Sequence, residues 1–73
     1  MEDQVELAFS RLKLPNTFEA HPGGDVSACF RSSNLSEMAE YVRSLRDPEL
    51  VTAYLYEDAF GPAIAFVLED EDE

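Results

Sequence analysis

Residues 50–68 read LVTAYLYEDAFGPAIAFVL, and this stretch decides the fold. In 50–57, Val51, Ala53 and Leu55 alternate with Thr52, Tyr54 and Tyr56. A period of two marks a strand with one apolar face. The glycine and proline of Asp58-Ala59-Phe60-Gly61-Pro62 mark a loop. Residues 63–68, AIAFVL, are nearly continuously apolar. Such a run suits a strand covered on both faces, at a sheet centre or beneath a helix. The far face of the sheet then carries the tyrosines.

Upstream of this segment, Asp47-Pro48 stops a helix expected over about 35–46. Its apolar stripe is Leu35, Met38, Ala39, Val42 and Leu45. Asn34 is suited to cap it, with Glu37 three residues on completing a capping box. Arg43 and Arg46 are placed to pair with Glu40 or Asp47 on the helix surface. Residues 26–31 read as a strand, Val26, Ala28 and Phe30 on one face. Residues 17–21 read as a shorter one, and Pro22-Gly23-Gly24-Asp25 supplies turn chemistry for a hairpin between them. Residues 2–13 read as a first helix, with Val5, Ala8, Phe9 and Leu12 on one face. Its acids come first and Arg11 and Lys13 last, as the helix dipole favours. The fold class is therefore α+β, in the order α-β-β-α-β-β. Two helices pack on one face of a small, mostly antiparallel sheet of about four strands. Residues 1–68 form a single domain, and 69–73 an acidic C-terminal tail.

The chain has 73 residues, with 16 Asp and Glu against five Lys and Arg and a net charge of −11. Like charges on a small body repel, so this surplus opposes folding in a domain with little stability to spare. An apolar content of 45% with five Phe and three Tyr still provides a core, unlike a disordered acidic chain. A single cysteine, Cys29, allows no internal disulfide and fits a reducing cytoplasm. The opening MEDQVELAF is acidic where a secretory leader is basic, so a cytoplasmic location is expected. No run approaches the length of a membrane helix. Acidity also argues against anionic membrane surfaces and against direct nucleic-acid binding.

A basic protein partner gives the charge a use. A compact 73-residue domain has a diameter of about 28 Å from its expected radius of gyration. Duplex DNA of that length carries roughly 16 charges, the same order as the net charge of this chain.

The residues expected to meet such a partner are Tyr54, Tyr56, Glu57, Asp58 and the run Glu69, Asp70, Glu71, Asp72 and Glu73. If the last strand continues into that run, Glu69, Glu71 and Glu73 repeat every ~6.7 Å along one face, near a phosphate step. The bland alternative is a solvated tail. Glu57 and Asp58 lie near Glu19 and Asp25 if the two turns share an edge; otherwise they are ordinary loop acids. Tyr54 and Tyr56, with Phe60 beside them, either anchor an interface or cover the sheet. His21 and Cys29 are the available base and nucleophile. Nothing in the sequence places an orienting Asp or Asn beside His21, so no catalysis is expected. No cofactor or metal is implied either: the EF-hand pattern and the GK[ST] phosphate-loop ending are both missing.

A single domain, strong acidity and an intact apolar core together resemble the small phage-encoded DNA-mimic inhibitors, of which anti-CRISPR and anti-restriction proteins are the best known. The resemblance rests on bulk properties of the whole chain. It implies a non-catalytic inhibitor that blocks the DNA or RNA site of a basic nucleic-acid-binding protein, such as a CRISPR surveillance complex, in the cytoplasm of a bacterial host. The alternatives are an immunity or antitoxin protein against a basic nuclease toxin, and a small structural or assembly subunit whose acidity serves solubility.

Overall fold

Strands β3 (Val51–Asp58) and β4 (Gly61–Leu68) form a hairpin that pairs residue for residue, from Val51↔Leu68 to Asp58↔Gly61. In this computed structural model, which describes residues 4–68, the loop expected over 58–62 shrinks to Ala59 and Phe60. Two features tighten it. Asp58 Oδ1 accepts the Phe60 N–H at 2.9 Å, an Asx turn. Gly61 follows at φ 109°, a conformation open to glycine.

The sheet has four strands in the order β1-β3-β4-β2. Strand β1 (Asn16–Phe18) lies parallel to β3, and β2 (Ala28–Phe30) antiparallel to β4. The expected α+β class and element order hold, and two of the three pairings are antiparallel. β4 is an inner strand, as its AIAFVL run required: Ala63, Ile64, Ala65 and Phe66 are all fully buried.

Val51, Ala53, Ile64, Phe66 and Phe30 share one face, and Val5 of α1 (Gln4–Ser10) and Met38 of α2 (Leu35–Arg43) close over it. Both helices thus pack on the same side. Phe30, Tyr41 and Phe66 form an aromatic triangle with ring centroids 5.1 to 5.8 Å apart. Tyr41 therefore belongs to the core, whereas Ala39, assigned to it by spacing, is exposed. A ring reaches across a helix flank where a methyl group does not.

Both helices stop earlier than expected, and each stops at a serine. Ser10 Oγ donates to the Leu7 carbonyl and Ser44 Oγ to the Tyr41 carbonyl, both at 2.8 Å. Serine competes in this way for helix carbonyls. The chain then tightens through the three-residue bonds Arg11 N–H to Ala8 and Leu45 N–H to Val42. Asn34 makes no side-chain cap on α2. Its Oδ1 reaches back to the Arg31 N–H at 2.8 Å and closes a 3-10 turn over Ser32–Asn34.

The hairpin expected between 17–21 and 26–31 does not form. β1 and β2 lie on opposite edges of the sheet. The connection 19–27 instead crosses the face away from the helices. The His21 ring lies 5.2 Å from that of Tyr56, Gly24 abuts the Val67 side chain, and the Ser27 N–H donates to the Phe66 carbonyl at 2.8 Å. The physical reason is burial. The crossing lies on the face where Ala63, Ala65 and Thr52 are buried, and apolar burial there favours it over a hairpin standing clear of the sheet.

Candidate functional site

The far face is built around two alanines. Register places Cys29, Ala65, Tyr54 and Phe18 in one row, and Ala63 beside Tyr56 in the next. Alanine at the centre of each row leaves a trough, and longer side chains from both flanks meet over it. The Cys29 Sγ and Tyr56 hydroxyl come within 3.4 Å. Tyr54 tilts against Phe18, with centroids 6.0 Å apart.

At the hairpin end of this face, Arg31 grips Asp58 with two parallel hydrogen bonds, Nη1 to Oδ1 at 3.1 Å and Nη2 to Oδ2 at 2.8 Å. Nη1 also donates to the Gly61 carbonyl at 3.2 Å. The guanidinium lies 5.7 Å from the centroid of the Phe60 ring, which is 84% exposed and projects from the hairpin tip. The Arg31 bonds, with help from the Phe60 N–H, hold the Asp58 carboxyl below its ordinary range. Asp58 in turn raises Arg31. The Tyr56 phenol is pushed up, first by its bond to Cys29 and then by partial burial.

The other face of the same hairpin end opens into a groove of about 440 Å³. Its apolar lining is Phe9, Leu55 and Pro62, and its acids are Glu6, Glu19 and Glu57, with Tyr56 at its rim. Helix α1 supplies Glu6 and Phe9, the start of the crossing segment supplies Glu19, and β3 supplies Leu55 and Glu57. Among the described residues Arg31–Asp58 is the one ion pair. Hence Arg43 and Arg46 do not pair with Glu40 or Asp47, and no Lys or Arg neutralises the three groove acids.

The expected site residues therefore separate. Glu57 joins Glu19 in the groove, but Asp25 does not line it. Asp58 belongs to the far face, tied to Arg31, and both acids sit in β3 rather than in a loop. Tyr54, Tyr56 and Phe60 each have a different neighbour and form no single aromatic set. Glu69, Asp70, Glu71, Asp72 and Glu73 lie outside the described residues. Sequence reading missed Glu6, Phe9 and Arg31. The i, i+3 spacing of Glu6 and Phe9 on one helix was the available signal.

The chemistry available at the far-face cluster is limited. His21 meets the ring of Tyr56 and Cys29 its hydroxyl, so the tyrosine stands between base and thiol. Among the described residues no group of three His, Cys, Asp or Glu side chains is placed to hold a metal ion, and no helix is long and apolar enough to cross a membrane.

No family model, curated protein or solved structure matches this chain.

Proposed function

We propose that this chain is a non-catalytic inhibitor that binds a basic nucleic-acid-binding protein, such as a CRISPR surveillance complex, and blocks its DNA or RNA site. It would act in the cytoplasm of a bacterial host. The observation that carries this reading is the distribution of charge. Of nine acids among the described residues, Arg31 neutralises Asp58 alone. The other seven of the 16 acids fall in 1–3 and 69–73, with no Lys or Arg in either segment. The carboxylates of the described residues thus have little internal pairing, and an external cation is what they attract.

Long-range attraction accelerates encounter, and desolvated anchors slow release. The acids of 69–73 and the groove supply the first. Phe60 and the rim tyrosine Tyr56 supply the second.

The test is displacement. A fluorescent target duplex is bound to each of a panel of CRISPR surveillance complexes and restriction enzymes, and the full chain is titrated in at fixed salt. Release of duplex by at least one member, weakening between 50 and 200 mM salt, is the expected result. Stable protein–duplex complexes throughout the panel at micromolar inhibitor would reject the reading.

A further inference from the structure

The crossing of the far face has a second effect: it strips the edge of β3. β1 pairs only with Thr52, Ala53 and Tyr54, because the chain turns away after Phe18. Beyond that point, Leu55, Tyr56, Glu57 and Asp58 have a strand neighbour on the β4 side alone.

Which backbone groups face the open side follows from the hairpin. The Ser27 N–H donates to the Phe66 carbonyl, so the peptide groups of Phe66 point toward β2. Peptide groups alternate along an antiparallel strand. Those of Ile64 and Pro62 therefore point away from β3 as well. Pro62 agrees independently, since proline has no N–H to donate and is tolerated only at such a position. The register partners of these residues, Leu55 and Glu57, point away from β4 in turn. The Glu57 N–H and C=O, with the Leu55 C=O, thus face outward beyond the end of β1.

This open edge borders the groove of Phe9, Leu55, Glu6, Glu19 and Glu57. We infer that the groove receives an extended Lys- or Arg-bearing segment of a partner protein, added as a short strand beside Glu57. The inference deepens the proposed function and rests on it only for the basic character of the partner. Strand addition supplies main-chain bonds, and alternate side chains supply selectivity. The residue opposite Glu57 shares its face of the sheet and enters the acid-lined groove. The next residue lies beside Tyr56 on the far face.

Charge complementarity selects this occupant over a second copy of the chain. Edge-to-edge pairing of two copies would bring two acid-lined edges to about 4.8 Å apart, each on a molecule of net charge −11. Like charges across a strand pair oppose pairing. A basic strand meets the same edge with the opposite sign.

The test uses the full chain, 15N-labelled, and a capped peptide of alternating Lys and Val, six residues long, in low salt. The expected result is slowed hydrogen exchange at the Glu57 amide, at least tenfold, with the already bonded Tyr56 amide little changed. A peptide N-methylated at alternate residues should bind at least tenfold more weakly, and an alternating Glu and Val peptide should not bind. Glu57→Lys should weaken the Lys and Val peptide severalfold at a melting temperature no lower than the parent's. Equal binding of the N-methylated peptide, or no protection at Glu57, overturns the inference. Peptide shifts confined to 69–73 overturn it too, while leaving attraction for basic partners in place. Failure of duplex release with Glu57 protection intact would instead remove the inhibitor reading and keep the groove.

Discussion

Arg31 and Asp58, 27 residues apart, meet through two parallel hydrogen bonds at the hairpin end of the sheet. The pair joins edge strand β2 to inner strand β3 across β4 and holds the turn that carries Phe60. Both side chains are about 30% exposed, so water and salt weaken the attraction. The Asp58 carboxyl is held below its reference value of 3.8. A depressed carboxyl stabilises the fold above its unfolded pKa, and that contribution disappears as pH falls through the folded value. Asp58→Asn should therefore lower the melting temperature at pH 7. The gap to the parent chain should close as pH drops below about 4 and shrink in 1 M salt. Melting curves of both chains across pH 2.5–7 check this. A gap constant with pH would remove the ion pair as its cause.

Gly61 sits at φ 109° with open space where a Cβ would project. Crowding is therefore not the issue, and only backbone strain remains. Gly61→Ala should cost about 1–2 kcal/mol, the penalty of an L-residue at positive φ, and lower the melting temperature accordingly. Gly61→Asn should cost less, because asparagine tolerates that region better. Urea unfolding of the two variants distinguishes this from a packing defect, which would penalise the larger Asn more.

The trough on the far face depends on small residues in β4. Ala65 is fully buried between Cys29 and Tyr54, with no room to grow. Ala65→Leu should destabilise by about 1–3 kcal/mol through overpacking and loosen the crossing segment. Hydrogen exchange at the Ser27 amide, bonded to Phe66, reports that loosening directly. Undiminished protection there would contradict the crossing as cover for this face.

Tyr41 and Ala39 make a paired test of the core. Tyr41 makes ring contacts with Phe30 and Phe66. Tyr41→Ala should cost about 1–3 kcal/mol from these two pairs before area is counted, at roughly 0.5–1.5 kcal/mol per pair. Ala39→Ser, on the exposed side of α2, should stay within about 0.5 kcal/mol. Denaturant midpoints give both values, and a reversal of the ranking would put the aromatic triangle in error.

Charge gives the last prediction. Raising salt from low to moderate should raise the melting temperature by screening self-repulsion. Replacing the five acids of 69–73 by Gln and Asn brings the net charge from −11 to −6. That change should slow association with a basic partner more than it speeds dissociation. Surface plasmon resonance of the two chains against one target separates the rates. Equal association rates would remove these five acids from the encounter.

Much of this is legible in the order of residues. The alternation of Val51, Ala53 and Leu55 with Thr52, Tyr54 and Tyr56, and the unbroken AIAFVL run, correctly oriented β3 and placed β4 inside the sheet. Serine stops were legible in principle at Ser10 and Ser44 and were masked by the stronger signals of Pro15 and Pro48. Of the groove, the nearness of Glu57 to Glu19 was expected, but the wall from α1 was not legible. Glu6, Glu19 and Glu57 come from three separate elements, and only packing brings them together. Arg31–Asp58 was hidden for the same reason, since it requires β2 to lie beside β4.

The sequence by itself determined the apolar faces of β3 and β4 and how strongly the chain repels itself, because periodicity and charge are properties of the order and kind of residues. Only the tertiary structure decided that Pro22-Gly23-Gly24 bridges a sheet face and does not turn a hairpin. Turn residues permit a reversal without choosing what lies on either side of it. Here the chain packs His21 on Tyr56 and Gly24 on Val67, and that course left Glu57 on an open edge.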